Sequence, residues 1–180
     1  MRKVLRHSSH ALAAAALTAG LAGCATSLNG LEFHNDNRLK ITSPHENDKV
    51  ASPFTLRWTM RDFTVAAAGE GSVNTDTGYF AIFIDHAPVK PGQTLNAVNK
   101  NTPSCNHTML CTTKSYLARE QVYTTTRDQL RIDSVADIVG NNESTQYHTA
   151  TVVLMDTDAR RISESAWSVE FRMRASGVGG

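Results

Sequence analysis

Apolar residues recur at every second position in two segments of this 180-residue chain, residues 53–61 and 166–174. When the period is two, alternate side chains lie on opposite faces of a β-strand, whereas a helix would scatter these apolar side chains around its circumference. Both segments are therefore predicted to be half-buried antiparallel strands. Their apolar faces consist of Phe54, Leu56, Trp58 and Met60 in the first segment and of Trp167, Val169, Phe171 and Met173 in the second.

Two further segments are more continuously apolar: residues 79–84, which follow Gly78, and residues 148–155, which precede Asp156. A strand with apolar residues at successive positions is buried on both faces, so each of these segments is predicted to lie at the centre of a sheet. Three shorter segments are also predicted to be strands, at residues 39–42, 121–125 and 130–132.

Turn-forming residues separate the predicted strands. Residues 43–48 and 88–92 combine proline with asparagine, aspartate or glycine, and residues 156–160 are predicted to form the tip of a hairpin between the last two strands. A single turn of helix is predicted within residues 116–122. About seven short strands with regular turns favour an all-β fold, an antiparallel sandwich of two sheets.

The composition is that of an ordinary globular domain, with 41% hydrophobic and 19% charged residues. Its 18 basic and 17 acidic side chains give a formal charge of +1, and three of the basic ones lie in residues 1–23, which contain no acid. The remainder therefore carries 15 basic against 17 acidic groups. A near-neutral body lacks the basic surface that nucleic acids require, so no nucleic-acid partner is expected.

The N-terminus has the pattern of a secretory signal peptide. Arg2, Lys3 and Arg6 precede an apolar run over residues 11–21, which is too short to span a bilayer as a helix. Residues 1–23 are therefore predicted to be an export signal.

The signal ends in Leu21-Ala22-Gly23-Cys24, which resembles the lipobox of bacterial lipoproteins. The resemblance implies that Cys24 is acylated on sulfur, becomes the mature N-terminus and is acylated again on nitrogen, which makes membrane lipid a partner. Ala25 stands where an aspartate would retain a Gram-negative lipoprotein at the inner membrane, so the expected location is the cell envelope, at the outer membrane in a Gram-negative host. The alternative is an ordinary signal peptide that leaves Cys24 as a spare thiol.

Residues 24–37 are polar and are predicted to form a tether between the lipid and a folded body over residues 38–176. Cys105 and Cys111 remain as an even pair in an exported chain, which favours a disulfide between them. Residues 93–120 are then an insertion stapled by this bond. The alternative is a metal site that includes His107, although the spacing differs from that of zinc sites.

Three short motifs occur in a fixed order along the body. They are Ile41-Thr42-Ser43-Pro44 with Val50, Pro53-Phe54 and Trp58; Gly78 with Phe80, Ile84-Asp85 and Pro91-Gly92; and His148-Thr149 with Val152, Leu154 and Asp156. Together they resemble the bacterial immunoglobulin-like domains of envelope lipoproteins, over residues 38–174. The resemblance implies an immunoglobulin-like β-sandwich. Related domains often have histidines on either side of the aromatic residue in the second motif, which is Phe80 here. This chain has Tyr79 and Ala81 at those positions, so no metal role is implied.

Sequence motifs for catalysis are missing from the chain. It contains no G-x-S-x-G, H-E-x-x-H, P-loop or G-x-G-x-x-G pattern. His148 is expected to be a packed or hydrogen-bonded strand residue. His86, which follows Asp85 at a strand end, is expected to be a turn residue, and the alternative is that it forms half of a metal or acid–base pair. A calcium site built on Asp156 and Asp158, with Asp76 and Asp85 at an end of the sandwich, is a further alternative, although two acids in a turn fall short of a calcium shell.

The most suggestive loop covers residues 66–78, between two predicted core strands. It is long and rich in small residues, and loops at the end of a sandwich can recognise ligands without disturbing the core. Glu70, Asn74 and Asp76 are its candidate binding residues, and the insertion 93–120 is the second candidate partner surface.

The sequence therefore predicts a non-catalytic, membrane-anchored envelope lipoprotein that acts as a binding or assembly module. No cofactor or bound metal is expected, and the expected partner is an envelope protein or a glycan. The alternative is a periplasmic ligand- or metal-binding module that uses His86, His107 and acidic turn residues.

Overall fold

A computed structural model describes residues 36–99, 113–141 and 143–176 of the chain. These residues form nine strands, one α-helix and one short 3-10 helix. The elements are β1 (Leu39–Ser43), β2 (Asp48–Val50), β3 (Phe54–Met60), β4 (Thr64–Val65), β5 (Thr77–Ile84), the 3-10 helix (Leu95–Asn99), α1 (Lys114–Arg119), β6 (Val122–Thr125), β7 (Gln129–Ile132), β8 (Thr145–Asp156) and β9 (Trp167–Arg174).

The strands form two sheets. The smaller sheet is antiparallel, in the order β1-β3-β7, and the larger sheet has the order β2-β9-β8-β5, with β4 and β6 both paired along the far edge of β5. The mostly-β class and all seven predicted strands are confirmed. The larger sheet differs from the prediction because β2 and β4 run parallel to their partners β9 and β5. These two strands have three and two residues, which is too short for a period of two to be visible in the sequence.

The alternating apolar faces of β3 and β9 pack together between the sheets. The ring centroids of Trp58 and Phe80 lie 5.2 Å apart in an edge-on contact, and those of Phe54 and Phe171 lie 5.1 Å apart. Aromatic pairs in such geometries contribute roughly 0.5–1.5 kcal/mol beyond the burial of their area. The buried members of this core are Leu39, Leu56, Trp58, Phe80, Ile82, Ile84, Ile132, Ala150, Val152, Leu154, Ile162, Val169, Phe171 and Met173.

The opposite face of the larger sheet is also covered. Tyr79, Ala81 and Phe83 of β5 and Val153 and Met155 of β8 point away from the smaller sheet and are buried. Val89 and Leu95, from the connection after β5, and Leu117, from α1, pack over them, and Val122 of the neighbouring strand β6 belongs to the same buried cluster. The prediction that β5 and β8 are buried on both faces is therefore confirmed.

A buried arginine ties this cover to the sheet. Arg161, which is 7% exposed, donates from Nη1 to the carbonyl oxygen of Val89 at 2.7 Å and from Nη2 to that of Glu164 at 2.9 Å. Helix α1 has only six residues, too few to be stable alone, so its position depends on packing by Leu117.

Gly78 permits close pairing where β5 begins beside β8. A Cβ atom placed on this residue would lie 1.8 Å from the carbonyl oxygen of Met155. Any other residue here would force the two central strands apart.

The start of the described chain is fixed against the residues around the start of β9. The Asp36 carboxylate accepts hydrogen bonds from Arg38 Nη2 at 2.9 Å and from Ser165 Oγ at 2.7 Å. The backbone carbonyl oxygen of Asp36 accepts a third hydrogen bond, from Trp167 Nε1 at 2.6 Å. The Arg38 side chain, helped by the Ser165 hydroxyl, lowers the pKa of Asp36 from 3.8 to about 2.

We expect the Asp36→Asn variant to lose about 1–2 kcal/mol of unfolding free energy at neutral pH, since each unit of pKa shift corresponds to about 1.4 kcal/mol. A carboxylate with a lowered pKa stabilises the folded state above its unfolded pKa. The difference in unfolding free energy between wild type and variant should therefore be constant above pH 3.8 and disappear as the pH falls toward about 2. Urea unfolding at a series of pH values measures it.

The Asp133→Asn variant is the matched control. Asp133 also contacts an arginine, Arg131, but its side chain is 80% exposed, so its removal should change the unfolding free energy by less than about 0.5 kcal/mol. A pH-independent difference for Asp36→Asn, or an equal loss in both variants, would contradict the assignment.

Candidate functional site

Several residues singled out from the sequence lie outside the described part of the chain. These are Cys24, Cys105, His107 and Cys111. The lipid attachment, the disulfide and the cysteine-based metal alternative therefore stay predictions.

The candidate binding loop lies at the surface, and Glu70, Asn74 and Asp76 are all exposed. Each makes a separate local contact. Glu70 Oε2 accepts a hydrogen bond from the Ala67 amide at 3.2 Å, and Asn74 Oδ1 accepts one from the Asp76 amide at 2.9 Å. Asp76 Oδ1 lies 3.6 Å from Arg38 Nη1. The polar groups of Glu70 and Asn74 thus stabilise turns within the loop.

The acidic hairpin tip has a similar local role. The predicted turn at residues 156–160 is present, and Asp156 Oδ1 accepts a hydrogen bond from the Arg160 amide at 2.8 Å. The described residues include no group of three or more His, Cys, Asp or Glu side chains placed to hold a metal ion. The calcium alternative therefore gains no support from them.

His148 is a packed, hydrogen-bonded strand residue, as expected. It is 3% exposed, its ring stacks on Phe171, and its Nδ1 lies 2.7 Å from Asp85 Oδ2. Asp85 Oδ1 also accepts a hydrogen bond from the Thr149 amide at 2.8 Å. Within the described residues, no serine, threonine or cysteine side chain hydrogen-bonds to His148, so the pair lacks the nucleophile that a catalytic triad requires. The Asp85–His148 contact holds the end of β5 against β8.

A candidate site is a groove on the outer face of the larger sheet, with a volume of about 630 Å³. We call it the threonine groove, because four threonines line it. Its lining residues are Ala67, Ala68, Tyr79, Thr94, Leu95, Asn96, Lys114, Leu117, Thr124, Thr125, Thr126, Asp158 and Ala159. Its volume is typical of sites for small molecules or short segments of a polymer.

The threonine groove is assembled by the covering layer of the larger sheet. Loop 66–76 is held beside the hairpin tip by a hydrogen bond of 2.7 Å from the Gly69 amide to the Thr157 carbonyl oxygen. The 3-10 helix and α1 supply another wall, and β6 with Thr126 supplies a third. Both segments predicted as partner surfaces, 66–78 and 93–120, therefore contribute described residues to one site.

Tyr79 gives the groove its chemical character. Burial, together with the negative charge of Asp156, raises the pKa of Tyr79 to about 12, so the phenol stays neutral at physiological pH. Its ring is buried, whereas its hydroxyl opens into the groove and makes no hydrogen bond to any other described residue. It can both donate to and accept from a ligand.

The other groups divide into an apolar base and a polar rim. Leu95 and Leu117 are buried beside Tyr79, while Asn96, Lys114 and Asp158 are exposed. The threonine hydroxyls and the asparagine amide are neutral groups that can donate and accept, and the two rim charges have opposite sign. This combination suits a neutral ligand that carries hydroxyl or amide groups.

The sequence did not indicate this groove. Tyr79 was predicted only as part of a buried strand, and Thr124 and Thr125 only as strand residues. The one signal in the sequence is the run Thr124-Thr125-Thr126 at the end of a strand, because three successive hydroxyls leave at least one on each side of the backbone.

Comparison with protein-family models, curated protein sequences and solved structures finds no significant match to this chain. Within residues 36–99, 113–141 and 143–176, no helix has the length and apolar character needed to cross a bilayer.

Proposed function

We propose that this chain is a non-catalytic lipoprotein of the bacterial cell envelope that acts as a binding module. The N-terminal pattern supports the anchor: a basic segment, an apolar run of signal length and the lipobox-like Leu21-Ala22-Gly23-Cys24. In this proposal the acyl chains on Cys24 hold the body at the membrane, at the outer membrane in a Gram-negative host.

The fold of the body is proposed to be an immunoglobulin-like sandwich with an added cover on one sheet. Two packed sheets and the contact of Trp58 with Phe80 across the core support this. The parallel edge strands β2 and β4 would be additions to that architecture. Such a sandwich serves as a rigid support for a recognition site.

The binding site in this proposal is the threonine groove, and one observation carries it. A neutral tyrosine hydroxyl that opens into the groove, without a partner among the described residues, lines a volume of about 630 Å³ together with four threonines. Hydroxyl and amide groups on a ligand can hydrogen-bond to these side chains. The proposed ligand is therefore a neutral stretch of an envelope glycan, with an uncharged peptide segment of an envelope protein as the alternative.

Lipid attachment is tested in growing bacteria by incorporation of labelled palmitate. We expect the wild-type chain to incorporate label and to sediment with membranes, and the Cys24→Ser variant to incorporate none, because serine has no thiol to acylate. A wild-type chain that remains unlabelled while a known lipoprotein in the same cells is labelled would contradict the anchor.

Binding in the groove is tested with a neutral amide-bearing probe, the tetrasaccharide of N-acetylglucosamine. We expect a saturable rise in melting temperature of the full chain, since a ligand specific for the native state stabilises it by about 2.7 kcal/mol at a hundredfold excess over Kd. The Ala68→Trp variant should abolish this rise by filling the groove, and Tyr79→Phe should weaken binding by about tenfold through loss of one hydrogen bond.

The Ala51→Trp variant is the matched control, because Ala51 is exposed and lies outside the groove. It should bind the probe as wild type does. If an uncharged peptide binds the wild type and the sugar does not, and Ala68→Trp abolishes binding of the peptide, the ligand is the alternative one, a peptide segment. Failure of both probes to bind, or equal binding by Ala68→Trp, would overturn the assignment of the site.

A further inference from the structure

Basic side chains form a diagonal band across the outer face of the smaller sheet. Arg57 and Gln129 are paired across β3 and β7, and a hydrogen bond from Arg57 Nη1 to Gln129 Oε1 places both side chains on the same face. Arg131 is paired with Thr55, and Lys40 is paired with Thr59. Thr55 and Thr59 lie two residues before and two residues after Arg57 on β3, so their side chains are on the same face as that of Arg57. Lys40, Arg57 and Arg131 therefore lie as diagonal neighbours on three adjacent strands, a spacing of roughly 7–8 Å between neighbouring positions. We call these three residues the basic band.

The face that carries the basic band is open. All three side chains belong to exposed residues, and the two apolar clusters of the described residues lie between the sheets and beyond the larger sheet. Arg61, also exposed, follows the end of β3. The acidic side chain that contacts the band is Asp133, whose Oδ1 lies 2.9 Å from Arg131 Nε.

This arrangement differs from the usual outer face of a sheet. Exposed faces of a sheet normally mix both signs of charge, whereas here three basic residues are diagonal neighbours. The whole body is near neutral, with 15 basic and 17 acidic side chains after residue 23, so the positive charge is local. A local basic patch on an open face indicates a surface that meets a negatively charged partner.

We propose that the basic band binds the headgroups of anionic phospholipids. This binding rests on the proposed anchor at Cys24: Lys40 follows Cys24 by sixteen residues, which span at most about 55 Å when fully extended. The face is thereby confined near the leaflet that holds the acyl chains. A basic residue close to an anionic leaflet strengthens binding by about fivefold.

The order of layers agrees with this orientation. The basic band lies on the outer side of the smaller sheet, whereas the threonine groove lies on the outer side of the larger sheet, with the core between them. When the band contacts the membrane, the groove faces away from it. The domain then presents its ligand site to the aqueous side.

The test uses the full chain carrying Cys24→Ser, so that no acyl chain contributes, with sedimentation on two kinds of vesicle. One is made of zwitterionic phosphatidylcholine alone, and the other contains roughly one third anionic phosphatidylglycerol. We expect the charge-removal variant Lys40→Gln/Arg57→Gln/Arg131→Gln to bind anionic vesicles at least tenfold more weakly than its parent. The parent's preference for anionic vesicles should also fall steeply as salt rises from about 0.1 to 0.5 M.

The control variant Lys49→Gln/Lys90→Gln/Arg119→Gln removes three exposed charges away from the band. It should bind like the parent, and the basic residues of the N-terminus contribute equally to all three proteins. The proposal would be overturned if both variants lost the same amount of binding to anionic vesicles, or if the parent and the band variant bound these vesicles equally. The alternative partner of this face would then be an acidic protein. The palmitate experiment is independent, so failure of the band leaves the anchor in place.

Discussion

The structure depends on the burial of both faces of the strands β5 and β8. Their side chains are apolar on both sides, so a single partner layer would leave several large groups in water. The smaller sheet covers one face, through contacts such as Trp58 against Phe80. Residues 86–99 and α1 cover the other, with Leu95 and Leu117 in the same buried cluster as Phe83 and Val153. The domain is therefore a sandwich with a third layer on one side.

The two candidate surfaces follow from this layering. The third layer is made of short segments that do not close completely over the larger sheet, and the space between them is the threonine groove, with Tyr79 in its lining. The smaller sheet has no third layer among the described residues, so its outer face, with Arg57 near the centre, is open. One sandwich thus separates a neutral, hydroxyl-rich site from a basic face.

The sequence predicted strands well where periodicity was strong. The alternation around Trp58 and the continuous apolar run around Val153 each produced a strand with the expected burial. It missed β2 and β4, because two or three residues show no period. It also missed the threonine groove, because Tyr79, Lys114 and Asp158 meet only through the topology. The predicted loop residues Glu70 and Asn74 bond locally, since side-chain oxygens in tight turns readily satisfy nearby amides.

The most direct measurement compares urea unfolding of Leu117→Ala with that of Leu56→Ala. Leu117, on α1 of the third layer, is 2% exposed, and Leu56, on β3, is fully buried between the sheets. If both layers cover one cooperative core, each substitution should cost about 2–5 kcal/mol in a single transition. A loss below about 0.5 kcal/mol for Leu117→Ala beside a full loss for Leu56→Ala would contradict the three-layer arrangement.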